Sequence, residues 1–194
     1  MKKTLLNTPV NRSTKFTVKN RFYKAAMSET MATKNNNPTE ELVTLYGRWA
    51  QGGAGLLMTG NVMIDREALG EPGNVVIEDE RDLDILKRWA KSGTQNGTQL
   101  WMQINHPGKQ SPKTLSKNPV APSAIPLTGD IKDFFNKPRE LTSGEIWQLI
   151  KRFGNAARIA KKAGFTGVQI HAAHGYLINQ FLSPHHLSLI HISE

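Results

Sequence analysis

The 194-residue sequence contains no cysteine, which removes disulfides, thiolate metal sites and cysteine nucleophiles from consideration. Long apolar runs are missing too. None approaches the roughly 18 residues needed to span a bilayer, so no membrane partner is expected. The amino-terminal stretch Met1-Lys2-Lys3-Thr4-Leu5-Leu6-Asn7 is basic but has no apolar segment of the signal-peptide kind. A cytoplasmic location is the reading that follows, and the lack of cysteine fits it. Basic residues are plentiful, 25 Lys and Arg against 16 Asp and Glu, yet no run of them exceeds two. Arms that grip nucleic acid cluster their charge and interleave aromatics. The net charge of +9 therefore reads as a solvated surface, with no nucleic acid expected as a partner. Also missing is a Gly-x-Gly-x-x-Gly in the first strand–helix connection, so a dinucleotide-binding Rossmann domain loses its main support.

What recurs is a unit of short apolar strand, loop and amphipathic helix. A weak first strand lies around 20–27. A helix opens after Asn37, with Pro38 at its first position and Glu40 and Glu41 in its first turn. Its residues Leu42, Leu45, Tyr46, Trp49 and Ala50 recur at helical spacing on one face. Segment 54–60 is apolar enough for a parallel strand covered on both faces. A second helix is expected over 81–95, burying Ile85, Leu86 and Trp89, and a third strand over 99–105. Six of the ten prolines crowd 107–141, a loop of the length that forms lids or binding excursions. Thr142-Ser143-Gly144-Glu145 is a capping box. Behind it Ile146, Leu149, Ile150, Phe153, Ala157 and Ala160 give the clearest helical period, which Gly164 ends. A fourth strand over 167–171 and the start of a helix over 176–182 follow. Tyr46, Trp49, Trp89 and Phe153 are read as core. The alternation predicts an α/β parallel sheet, either a small doubly wound domain or the first half of an eight-stranded barrel; periodicity leaves both open.

In either architecture reactive groups gather where strands end. Those positions hold Ala26-Met27-Ser28, Thr59-Gly60, Gln103-Ile104-Asn105-His106-Pro107-Gly108 and His171-Ala172-Ala173-His174-Gly175-Tyr176. Small or backbone-permissive residues at the first two ends and hydrogen-bonding ones at the last two suit a flat ring system with polar edges. Each residue has a plainer reading. His171 and His174 could be two ligands of a metal-dependent hydrolase, with His185 and His186 nearby, or polar residues opening a helix. Gln103 could be a strand-end polar group, Gly60 a turn, Met27 core filler and Tyr176 a packed ring. His106 either contacts a ligand or orients the Pro-rich loop. A basic nucleic-acid-binding module is the remaining alternative class.

Taken together, Asn20-Arg21 with Ala25-Ala26-Met27-Ser28, the strand Gly53 to Gly60, Gln103-x-x-His106-Pro107-Gly108, and Gly167 through Pro184 resemble the old yellow enzyme family. The resemblance covers essentially residues 1–186, in family order and at family-like spacing. It implies a TIM-type (βα)8 barrel, represented by about the first four βα units, with FMN on the barrel mouth and NADH or NADPH as reductant. Ala26, Met27 and Ser28 would contact the flavin, Ser28 standing where the family often has Thr or Cys. Gly60 would let the ring approach and Gln103 would bond its pyrimidine edge. His171 and His174 would hold the carbonyl or nitro oxygen of a small-molecule substrate. Tyr176 would give a proton to one alkene carbon.

The resemblance ends after His186. Residues 187–194, Leu-Ser-Leu-Ile-His-Ile-Ser-Glu, match nothing in the family and are expected to be an artefactual tail. On that reading strands five to eight are absent, FMN binds weakly or not at all, and the two strand edges invite self-association. A homo-oligomer of the full-length protein is left open.

Overall fold

The computed structural model describes residues 5–13 and 16–187, so the tail beyond Leu187 lies outside the described residues. A short antiparallel ribbon of β1 (Val10–Ser13) and β2 (Phe16–Val18) leads into the main sheet. The first half of the sheet region contains β3 (Tyr23–Lys24), α1 (Glu40–Gln51), β4 (Leu56–Met58), β5 (Val62–Met63) and β6 (Val75–Val76). Then come α2 (Leu83–Gly93), β7 (Gln99–Asn105), the small pair β8 (Val120–Ala121) and β9 (Arg139–Glu140), α3 (Ser143–Ala163), β10 (Gly167–Ile170) and α4 (Leu177–Leu182).

Every pairing in the main sheet is parallel, and β3, β4, β7 and β10 lie side by side in chain order. All three crossover helices cover the same face. Tyr46, Trp89 and Ile159 share one core with Leu57, Leu100, Met102, Ile104 and the partly buried Val168. A doubly wound sheet reverses its strand order and carries helices on both faces; a barrel does neither. The chain is therefore the opening four βα units of a TIM-type barrel. Along β7 the alternate residues Leu100, Met102 and Ile104 face the helices, which leaves Gln99, Trp101, Gln103 and Asn105 on the inner face.

β4 and β5 are one strand interrupted at Thr59-Gly60-Asn61. β4 pairs with residues 99–101 of β7, and β5 rejoins at Ile104 and Asn105. Thr59 spans the gap: its N–H donates to the Trp101 carbonyl at 2.9 Å and its Oγ1 accepts from the Gln103 N–H at 2.9 Å. β6 then pairs with β5.

Three local expectations are corrected. α1 starts at Glu40, so Pro38 precedes it; Thr39 is extended (φ −125°, ψ 166°) and donates its hydroxyl to the Met31 carbonyl. α3 buries Ala156, Ile159, Ala160 and Ala163, all in its second half, whereas Ile150 is exposed and only Leu149 and Phe153 of its neighbours on the stripe pack against the core. β3 is two residues long, shorter than the stretch 20–27, because only Tyr23 and Lys24 find partners in β4. The capping box of Thr142 and Glu145 forms as read, and Gly164 ends α3 at φ +99°, a conformation that favours glycine. The Pro-rich excursion is ordered, held by the β8–β9 pair and by Asn136 donating to the Ser116 carbonyl at 3.1 Å.

Trp89 is the largest fully buried side chain, stacked edge-on to Tyr46 and Phe165. Trp89→Ala should cost about 3–5 kcal/mol in urea unfolding. Trp147→Ala, at an indole 64% exposed, should change stability by about 0.5 kcal/mol or less. Equal losses would contradict this layering.

Candidate functional site

The carboxyl ends of β3, β4, β7 and β10 form one rim. Along it Ala26 is half-buried and the Met27 side chain is exposed, while the Met27 backbone runs against the strand break. A Cβ placed on Gly60 would sit 1.8 Å from the Met27 carbonyl oxygen and 2.8 Å from Oε2 of Glu29. The glycine is thus demanded by the chain's own packing, a stronger reason than the turn or ligand approach read from the sequence.

A buried polar clamp fixes this ledge. Lys24 Nζ lies 2.6 Å from Glu29 Oε1 and donates to the Met58 carbonyl at 3.0 Å. The Tyr46 hydroxyl donates to the same Glu29 oxygen at 2.9 Å, and the Gly60 N–H donates to the other at 3.1 Å. Burial first, then the Glu29 charge, pushes the Tyr46 phenol far above its ordinary range, so it stays a donor.

Gln103 is nearly buried and donates through Nε2 to Gln169 Oε1 at 2.8 Å. The two glutamines are direct register partners of β7 and β10, so their amides stand together on the inner face. Next along that face, Asn105 is fully buried. Its Nδ2 donates to Asn61 Oδ1 at 3.2 Å, while its own Oδ1 has no partner among the described residues. Asn61 Nδ2 in turn donates to Ser28 Oγ at 3.3 Å.

The β10 end brings three predicted rings into contact. His171 is buried; His174 packs edge-on to it at 5.1 Å between centroids and Tyr176 at 4.7 Å. The Ala173 N–H donates to His171 Nδ1 at 3.3 Å, which leaves Nε2 as the protonated nitrogen of a neutral ring. Burial, followed by the neighbouring His174, lowers the His171 pKa and keeps the ring neutral. Burial and then the Glu71 carboxylate raise the Tyr176 pKa. The turn carrying these rings has His174 at φ +57° and is bolted from three sides. Gln110 donates to the His174 carbonyl, Asn179 accepts from the Gly175 N–H, and buried Gln180 donates to the carbonyls of Gly175 and Pro107.

His106 does not join this rim. Its Nδ1 accepts from the Gly108 N–H at 3.0 Å and its carbonyl accepts from the Leu177 N–H at 3.0 Å. The ring lines a cavity of about 160 Å³ with Asp65, Arg139 and Arg152, which makes it the residue that orients the loop and α4. Sequence reasoning missed Asn61, Asn105, Gln169 and Gln110. Asn61 and Asn105 sit at the strand ends that were inspected, and the register of β7 with β10 points to Gln169. Among the described residues no group of three or more His, Asp or Glu could hold a metal ion. Among them, too, no helix is long and apolar enough to cross a membrane.

The rim of these parallel strands thus carries two amide pairs and a histidine–tyrosine cluster. Residues 6–187 match the NADH:flavin oxidoreductase / NADH oxidase family, and the chain belongs to it. An NADH-dependent flavin oxidoreductase of Hypocrea jecorina is 40% identical over an alignment 193 positions long that covers 90% of this chain and 48% of that protein. A second, from Aspergillus parasiticus, is 42% identical over 178 residues, 84% of this chain and 40% of the relative. The structure of the old yellow enzyme homologue from Zymomonas mobilis superposes with a TM-score of 0.83 at 34% identity, over 93% of this chain and 52% of that one. Morphinone reductase in complex with tetrahydroNAD gives 0.84 at 26% identity, over 95% and 54%. The chain spans about half the length of the relatives it matches.

His106 also sets an acid limit. Burial lowers its pKa from the ordinary 6.5 to about 4, with Asp65 raising it and Arg152 lowering it by smaller amounts. The unfolded chain binds this proton more readily, so stability is lost as pH falls from 6.5 towards 4. The loss amounts to about 3 kcal/mol at roughly 1.4 kcal/mol per unit. Urea unfolding at stepped pH should show this slope in the wild type and a flatter one in His106→Gln.

Proposed function

We propose that this chain carries the flavin floor and the substrate-activating cluster of an FMN-dependent reductase of activated alkenes, driven by NADH or NADPH. The contact of a neutral, Nε2-protonated His171 with Tyr176 supports this reading most directly. The rim also fits a flavin on its own chemistry. Gln103 and Gln169 supply paired amide donors and acceptors of the kind the polar edge of the ring needs. Ala26, Met27 and Ser28 form the ledge beside it.

FMN supplies the hydride chemistry. The protein's part is positioning and proton management. As hydride reaches one carbon of an α,β-unsaturated carbonyl, negative charge grows on the oxygen, where His171 Nε2–H and His174 act as an oxyanion hole. Tyr176, kept protonated at neutral pH by burial and by Glu71, gives its proton to the other carbon. The substrate is a small molecule. A cytoplasmic setting is part of the reading, supported by the cysteine-free composition.

In the FMN-loaded full-length protein, Tyr176→Phe should slow anaerobic oxidation of reduced flavin by 2-cyclohexenone roughly 10²- to 10⁴-fold and leave reduction by NADH unchanged. Equal loss in both half-reactions, or none in either, would overturn the assignment. The barrel's usual phosphate site forms after strands seven and eight, beyond these four units. Fluorescence titration of this chain should therefore show weak FMN binding; tight stoichiometric binding would contradict that view.

A further inference from the structure

The turn from Ala173 to Tyr176 has an uncommon backbone. The Tyr176 N–H donates to the Ala173 carbonyl at 3.1 Å, and both residues between them are left-handed, His174 at φ +57° and Gly175 at φ +76°. Glycine takes that form freely, whereas a residue with a Cβ takes it at a cost. His174 is exposed, so burial does not hold it there. We infer that Gln110 is a positioning residue whose side-chain amide holds the His174 carbonyl and so aims the His174 ring at the substrate position beside His171. The inference rests on the reductase reading for its purpose, though not for its geometry.

The peptide unit between His174 and Gly175 has a partner at each end. Its carbonyl accepts from Gln110 Nε2 at 2.9 Å, and its N–H donates to Asn179 Oδ1 at 2.8 Å. The Gly175 carbonyl accepts from Gln180 Nε2 at 2.7 Å. Asn179 and Gln180 belong to α4, which continues directly from the turn, so they shape it from within. Gln110 lies in the loop after β7, 64 residues earlier in the chain, and grips the turn from outside. The approach is close: a Cβ on Gly175 would sit 2.2 Å from Gln110 Nε2.

The anchor itself is firm. On either side of Gln110, Lys109 and Ser111 are buried. Lys109 Nζ donates to the Ile125 carbonyl at 2.9 Å and Ser111 Oγ to the Leu69 carbonyl at 2.7 Å. The Gln110 N–H donates to the Pro107 carbonyl at 3.1 Å, so a fixed backbone carries the half-buried side chain across to the turn. Returning His174 to a negative φ would redirect its Cα–Cβ bond relative to the peptide that Gln110 holds. The ring would then leave His171, and its edge-on contact at 5.1 Å is the observable that reports the latch.

The test uses the FMN-loaded full-length protein with isotopically labelled histidine and tyrosine. Wild type should show a nuclear Overhauser contact between the His171 and His174 rings. Gln110→Met, similar in length but without a donor, should lose that contact and keep the one between His171 and Tyr176, with circular dichroism unchanged. In the oxidation of reduced flavin by 2-cyclohexenone, Gln110→Met should lower the second-order rate roughly three- to tenfold, the weight of one neutral hydrogen bond. The same substitution should cost nothing further in a His174→Ala background and its full factor in a Tyr176→Phe background, because it acts through His174. A retained contact between the histidine rings in Gln110→Met, or equal losses in the two backgrounds, overturns the inference. Should Gln110→Met unfold, Gln110→Glu, which sets an acceptor against the carbonyl, carries the same comparisons. A lost ring contact in a variant whose wild type fails to reduce activated alkenes would sink the reductase reading while leaving the Gln110 latch established.

Discussion

At Gly60 the strand leaving β4 and the ledge leaving β3 pass so close that no side chain fits between them. Much of the rim follows from that contact. The strand breaks for three residues, Thr59 lends its hydroxyl to the gap in the ladder, and Asn61 emerges pointing across the site. Nothing in a regular parallel strand would bring Ser28, Asn61 and Asn105 into one hydrogen-bonded line, because adjacent strands alternate their side chains in step. The interruption puts side chains from three strand ends at one level.

The contact persists because it is tied down by charge. Glu29 receives Lys24 and Tyr46 on one oxygen and the Gly60 amide on the other, in surroundings that exclude most water. A carboxylate buried in this way is tolerable only when its lone pairs are all used. Here they also lock the ledge to α1 and to the strand break. The rings clustered at β10 are handled differently, with neutral amides instead of ions. Gln110, Asn179 and Gln180 fix the turn without placing a full charge beside His171, whose neutral state the proposed chemistry requires.

Strand β7, the capping box of α3 and the strand-end locations of the site were legible in the sequence, because apolar continuity, a Thr-x-x-Glu spacing and the parallel α/β rule each act locally. Periodicity did not separate barrel from doubly wound sheet, since that depends on which face the helices take, and Trp89 or Ile159 buries equally well on either; the resemblance of the strand-end motifs pointed to the barrel. The α3 stripe misled at one position: Ile150 keeps the period yet is exposed, while Leu149 beside it packs against the core. Asn61 was passed over because a polar residue after a glycine looks like an ordinary turn. Its role rests on partners 33 and 44 residues away, which no local pattern encodes.

Strand order that equals chain order has a consequence for how the molecule is made. Among β3, β4, β7 and β10, each strand needs as its neighbour only the one that precedes it in that series. Assembly can then advance from the amino-terminal edge as the chain emerges from the ribosome, with loop closures confined to one unit at a time.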